Sequence, residues 1–332
     1  MKLIRLFIFY LYDKFYPRIR KKKAKDKLIF KKKLGFNKEI NQKLNLSTSD
    51  WRQLFLEANI KKTDTVFLRT TFSCANSFEG GAIAFVDFLK EYFGKEGNIV
   101  LSSYTFDKSP LMYLSENPIF DVNKSPGRLS LFNEIFRTSR GVLRSIHPTH
   151  SLCAFGKNAA YIVKDHEINK FCYHDASPFT KLYELDAKEI SIGVRPASIS
   201  FHYIEQFSNS YKYVFKELSY PIMCRLKINN KIVFKEFQVV DSFRNLEDNY
   251  KVFKDTEVEP SKFSMDEIDL YVLNFKTGLR GLKLLMKSNI HWHNVGSIWK
   301  DLFMRFILKN IVLKIFFDNK KDTLYPIKRE NK

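Results

Sequence analysis

DTVFLRTTFSCANSFEGGAIAFVDFLKEYFGKEGNIVLSSYTF, residues 64–106, decides how this chain folds. DTVFLRTTF has the apolar, β-branched and aromatic make-up of a buried strand. Gly80-Gly81 reads as a turn, because paired glycines free the backbone from its usual φ restriction. AIAFVDFLKEYFG spaces its apolar residues along one helix face and stops at Gly94. NIVLSSYTF is the next strand. This strand–turn–helix–strand rhythm predicts an α/β fold, since the helix must bury its apolar stripe on the sheet. Upstream, STSDWRQLFLEANI predicts a helix capped by Ser47 or Ser49. Downstream, YVFKELSYPIMCRLKINNKIVFKEFQVV alternates on either side of Asn229-Asn230 and predicts a β-hairpin. The expected architecture is a layered α/β sandwich with a central mixed sheet flanked by helices, the hairpin supplying the antiparallel part.

The chain has 332 residues, 45% of them hydrophobic, with 32 Phe and 16 Tyr. That is enough apolar side chain for one large core or two modest ones, and it excludes disorder throughout. Cys74, Cys153, Cys172 and Cys224 are widely spaced and form no CxxC pair, which fits buried free thiols in the cytoplasm. The net charge of +20 is unevenly spread: residues 1–33 hold 13 Lys/Arg against 2 Asp/Glu, and residues 300–332 hold 9 against 4. The stretch between them holds 34 against 30, so the body is close to neutral. A nucleic-acid binder places its cations on the folded domain, interleaved with aromatics, and no such stripe is present. Three regions follow: a basic, aromatic-rich extension over 1–44, one catalytic α/β domain over 45–290, and a basic amphipathic segment over 291–332. The apolar run from Leu3 to Tyr12 is too short to span a bilayer, and its charge follows rather than precedes it, unlike a signal peptide. Both ends suit an anionic membrane surface, which places the protein at the inner membrane face. Helices packed on the core with solvated lysines are the alternative.

Phosphate-binding loops of the GxGxxG or GxxxxGK[ST] kind are missing, as are HExxH and paired CxxC. His147, His150, His174, His291 and His293 are candidate metal ligands, but Pro148 keeps the first two off a common helix face, so no metal site is expected. Three segments carry chemistry: LRTTF (68–72), HPTHS (147–151), and the run from Ala176 to Gln206. In the last, KEISIGV is a short buried strand. His202 and Glu205 then lie three apart and share one helix face if Ser198 or Ser200 caps that helix. A histidine held by a carboxylate is a competent general base; a surface ion pair is the alternative.

Taken in order, these segments resemble the aminoglycoside 3-N-acetyltransferase family. DTVFLRTTF and the later EGG resemble its first strand and the GG that follows. KEGNIVLSSYTF resembles its G-T-L-x-x-P-T-F, and PGRLSLFNEIFRTSRGVLRSIHPTHSLCAFGKNA resembles its G-x-L-x-E-x-F-R…R-S-x-H-P-x-x-S. ASPFTKLYEL resembles its S-P-x-x-K-L, and SIGVRPASISFHYIEQ its L-x-G-V…H-x-x-E. The likeness covers about residues 45 to 206 and implies transfer of acetyl from acetyl-CoA to an amine on a sugar, without a metal. By the same likeness His202 and Glu205 are the catalytic pair. Thr70, Thr71, Arg144, Ser145, Ser177 and Lys181 contact the coenzyme, while His147 and His150 form the substrate wall. Arg69 departs from the family, which usually has His there, and Asp175-Ala176 replace a more glycine-rich approach to Ser177. His202, with an ordinary pKa of about 6.5, would take the amine proton while Glu205 orients the ring. Backbone amides near Thr70-Thr71 would shelter the oxyanion. Cys74 is the nucleophile of an alternative covalent route. The near-neutral body suggests an anionic acceptor, such as a nucleotide- or lipid-linked amino sugar of a surface glycan. An aminoglycoside and an inactive membrane-peripheral scaffold are the alternatives.

Overall fold

The computed structural model describes residues 44–106, 110–194, 196, 219–240 and 259–278. Both basic terminal segments lie outside the described residues, as do Ser198, Ser200, His202, Glu205, His291 and His293. None of the described helices is long and apolar enough to cross a membrane.

The capped helix is present. Helix α1 (Thr48–Glu57) starts at Ser47, whose hydroxyl accepts from the Asp50 amide while the Asp50 carboxylate accepts from the Ser47 amide. This reciprocal box satisfies two amides that have no intrahelical acceptor. Strand β1 (Thr65–Thr70) runs into a single turn, α2 (Phe72–Ala75). Gly80 and Gly81 follow, with φ of 80° and 79°, where a side chain is strained. Helix α3 (Gly81–Phe93) then crosses to β2 (Asn98–Ser102). Parallel strands need such a crossover, and β1 does pair in parallel with β2. Gly94 ends the helix for a reason other than the expected left-handed cap. Its φ is −61°, and a Cβ there would stand 2.7 Å from the Phe155 ring.

After α4 (Pro110–Ser115), β3 (Ile119–Asp121) and α5 (Leu131–Thr138) come β4 (Leu143–Arg144), β5 (Leu152–Gly156) and α6 (Ala159–Val163). Helix α7 (Pro178–Glu184) and β6 (Lys188–Ile192) follow, then β7 (Ser219–Ile228), β8 (Lys231–Val240), β9 (Ser261–Met265) and β10 (Ile268–Asn274). The main sheet has the order β4-β5-β2-β1-β6-β10-β9. Its centre, β2-β1-β6, is parallel, and β5, β4, β10 and β9 add antiparallel margins. The sheet is mixed as expected, but the hairpin is not what makes it so. β7 and β8 do form that hairpin, with Asn229 and Asn230 at φ 48° and 62° as a two-residue turn of this hand requires. They pair with β3 in a separate three-stranded sheet. Alternation reports which face of a strand is buried and is silent on which sheet it joins.

The core on one side of the sheet is aromatic. The Phe85 ring of α3 lies 4.6 Å from Trp51, 5.5 Å from Phe78, 5.8 Å from Phe132 and 6.1 Å from Phe88, centroid to centroid. Tilted and offset contacts of this kind add to the apolar area each ring buries. Phe85→Ala should therefore lower stability by roughly 3–5 kcal/mol in urea unfolding, with the far-ultraviolet spectrum of the native state retained.

Candidate active site

Parallel pairing brings the carboxyl ends of β2, β1 and β6 to one edge of the sheet, where ligands of open α/β sheets gather. Thr70 ends β1 there, opposite Ile192 at the end of β6. Past the end of β2, the Ser103 amide donates to the Ser151 carbonyl (2.8 Å) and the Thr105 amide to the Thr149 carbonyl (3.3 Å). LRTTF, SYTF and HPTHS therefore meet at this edge. The chain leaving β6 at Val194 goes on toward His202 and Glu205, which lie outside the described residues.

Arg69, Thr71, Tyr104, Phe106 and His150 are the half-exposed side chains of this edge. The Tyr104 and Phe106 rings stack 5.6 Å apart, and His150 stands 4.8 Å and 5.2 Å from them. Burial lowers the Arg69 pKa, partly offset by the Glu189 carboxylate and Tyr104. Burial also pushes the Tyr104 phenol up. Thr71 caps α2 by accepting from the Cys74 amide, and the amides of Phe72 and Ser73 meet no acceptor among the described residues. This donor-rich edge fits the carbonyl of an acyl thioester.

Behind the wall lies a cluster that the spacing analysis grasped only in part. His147 is 1% exposed, and its Nδ1 accepts from the His150 amide (3.0 Å) and the Thr149 amide (3.3 Å), closing the turn around Pro148. Its Nε2 therefore carries the proton and has no partner among the described residues. His166, which no motif pointed to, is fully buried 4.7 Å from the His147 ring. Its Nε2 donates to the Cys172 carbonyl (3.0 Å), and its Nδ1 accepts from the Ser145 hydroxyl (2.9 Å). Ser145 in turn accepts from the Leu152 amide (2.9 Å). His174 donates to the His166 carbonyl (3.2 Å) and accepts from the Ala176 amide (3.2 Å). Burial holds all three imidazoles below their ordinary pKa, His147 and His166 well below. Among the described residues no group of three or more His, Cys, Asp and Glu side chains is arranged to hold a metal.

The coenzyme residues expected from the resemblance divide in two. Thr70 and Thr71 stand at the strand edge. Ser145 and Ser177 are fully buried and Lys181 is 3% exposed, each with an internal partner. Ser177 caps α7, and the Lys181 ammonium donates to the Lys164 carbonyl. Arg144 is engaged too: it donates to the Ser151 hydroxyl (2.9 Å) and to the carbonyls of Ser103 (2.8 Å) and Ser125, with its pKa lowered by burial to about 10. Cys74 is wholly buried and its thiol is pushed up to about 12 by desolvation, which does not suit a nucleophile. All four cysteines are free and buried.

A sequence model of the family described as aminoglycoside 3-N-acetyltransferase matches residues 67–273, from within β1 to within β10. The chain belongs to this family. It is thus an acetyl-CoA-dependent acyltransferase. A prophage-derived aminoglycoside N(3′)-acetyltransferase-like protein of Bacillus subtilis, YokD, is 25% identical over 234 residues, covering 63% of this chain and 84% of that protein. Among solved structures, AAC-VIa bound to sisomicin superposes with a TM-score of 0.60 at 21% identity over 76% of this chain and all of that one. AAC-IIIb in a binary complex with CoASH gives 0.61 at 16% identity over 74% and 97%. Both place the fold within the family.

The neutral cluster carries a pH signature. Below about pH 6.5 the unfolded chain takes up protons that buried His147 and His166 refuse, so stability held at pH 7–8 is lost as pH falls through 6.5. The two together should cost on the order of 3 kcal/mol at pH 5.5. Urea unfolding at pH 7.5 and 5.5 checks this: His166→Gln should remove about half of that difference, and an undiminished difference contradicts it.

Proposed function

We propose that the protein acetylates an amine on an aminoglycoside-type amino sugar, with His202 as general base and Glu205 as the group that orients it. The observation that carries this reading is the meeting of LRTTF, SYTF and HPTHS at the carboxyl edge of the parallel strands, from which the chain bearing H-x-x-E departs. Acetyl-CoA supplies the activated acetyl group. Neutral His202 removes the proton that keeps a sugar ammonium from acting as a nucleophile, and Glu205 stabilises the imidazolium. The amides of Phe72 and Ser73 receive the acyl oxygen, with Thr70 and Thr71 beside it. His150, packed on Tyr104 and Phe106, contacts the acceptor. His147, Ser145, Ser177, Lys181 and Arg144 act one layer back, holding the wall in place. The relatives' names favour an aminoglycoside over the surface-glycan acceptor. The setting is cytoplasmic, in keeping with four free thiols.

One observation favours the second reading, an amino sugar on a nucleotide or lipid carrier. The half-exposed wall residues Arg69, Thr71, Tyr104, Phe106 and His150 include a cation and no carboxylate, whereas a polycationic acceptor calls for acids.

Release of coenzyme thiol from acetyl-CoA, followed against a panel of aminoglycosides and nucleotide-linked amino sugars, separates the readings. Turnover with gentamicin or sisomicin is expected, falling about 10²- to 10⁴-fold in His202→Ala. Turnover on nucleotide-linked amino sugars alone selects the second reading. No stabilisation by acetyl-CoA in thermal unfolding leaves an inactive scaffold.

A further inference from the structure

We propose that His166 is a positioning residue for acyl transfer: standing outside the substrate wall, it fixes the loop that presents His150 to the acceptor. The proposal rests on the reading of His150 as an acceptor contact, and it adds a residue that no sequence motif marked.

The loop over residues 145–152 (SIHPTHSL) is closed at its neck by two bonds. The Ser145 amide donates to the Leu152 carbonyl (2.9 Å), and the Leu152 amide donates to the Ser145 hydroxyl (2.9 Å). The outgoing limb is tied to the extension of β2, where the Thr105 hydroxyl donates to the Pro148 carbonyl and the Ser151 hydroxyl to the Ser103 carbonyl (2.7 Å). The incoming limb, residues 145–147, is held differently. Among the described residues its one polar partner beyond the loop is His166, whose Nδ1 accepts from the Ser145 hydroxyl (2.9 Å).

His166 lies in the turn after α6 and is itself fixed. Its Nε2 donates to the Cys172 carbonyl (3.0 Å), and its ring packs 4.7 Å from His147 and 5.9 Å from Phe179. With a donor bond at one nitrogen and an acceptor bond at the other, the neutral imidazole is a strut of set direction. Its hold reaches the site in two steps. His147, packed on the His166 ring, accepts the His150 amide at Nδ1 (3.0 Å), and the Thr149 hydroxyl stands 2.9 Å from Nδ1 of His150. The His150 ring is thereby laid on Tyr104 and Phe106, half exposed at the edge. Misplacing a group that touches substrate by about 1 Å costs on the order of 10²-fold in rate.

Two substitutions separate this role from plain packing, because each keeps one end of the strut. In His166→Asn the side-chain oxygen takes the place of Nδ1 and still accepts from Ser145, while the bond to Cys172 is lost. His166→Gln keeps a donor for the Cys172 carbonyl and loses the acceptor for Ser145. Carbethoxylation of His150 by diethylpyrocarbonate, mapped on the full-length chain by peptide mass spectrometry, reports the loop directly and needs no acceptor. Its rate should rise severalfold in His166→Gln and in Ser145→Ala and stay at the wild-type value in His166→Asn, whatever the order of their thermal midpoints. In turnover with acetyl-CoA, His166→Gln should raise the acceptor KM about tenfold and leave the coenzyme KM unchanged. Combined with Ser145→Ala it should cost no more than Ser145→Ala alone, since both act through one bond. Labelling rates that follow the thermal midpoints instead of the retained acceptor, or that stay at the wild-type value in every variant, overturn the proposal. If no amine is acetylated, the acetyl-transfer reading falls, and the labelling rates still decide whether His166 holds the loop.

Discussion

Parallel pairing obliges neighbouring strands to end at the same edge of a sheet, and β1 is paired this way on both sides. Its register with β2 and β6 places Thr70 beside Ile192 and sends the chain past Ser102 toward HPTHS. Thr70 and Ile192, far apart in sequence, meet for this reason, while the antiparallel pairing of β5 with β2 brings HPTHS to the same edge. The aromatic contacts around Phe85 seat α3 and so hold the crossover that makes the parallel pairing feasible. The antiparallel margins widen the sheet without moving that edge. Catalytic side chains on the connecting segments then need only short reaches to converge.

Electrostatics at the edge are set by burial. Three imidazoles behind the wall are kept uncharged, each donating from Nε2 or holding its proton there while Nδ1 accepts. Uncharged rings can lie close together, as His147 and His166 do at 4.7 Å, without the repulsion that two imidazolium ions would bring. The cations at the edge include Arg69, tempered by the Glu189 carboxylate, and Arg144, which holds the Ser103 carbonyl and the Ser151 hydroxyl. On the proposed function, a substrate amine would meet these cations and a histidine ring on an aromatic bed.

Much of this was legible from local pattern. Helical periodicity from Ala82 to Phe93, the serine cap at Ser47 or Ser49 and the Asn-Asn turn each report a short-range rule, and each element lies where that rule puts it, with Ser47 as the cap. Long-range choices were not legible. The hairpin joined β3, a strand of only three residues with no periodicity to detect. β9 and β10 turn through Asp266-Glu267, which lacks the Asn-Gly type of signal. His166 serves Ser145 from 21 residues away, and nothing in either local sequence marks the pair. The roles of His202 and Glu205 came from the H-x-x-E likeness, since an HxxE spacing is also that of a surface ion pair.

Arg144 illustrates how one side chain can mislead a functional assay. Its guanidinium fastens β4 to the turn at Ser125, the end of β2 and the start of β5, while its plane covers the Phe120 ring at 4.9 Å. A lysine offers no fork for that geometry. Inactivity after its removal would record an unbuckled framework, and an affinity lost for nucleotide phosphates would look the same at the bench.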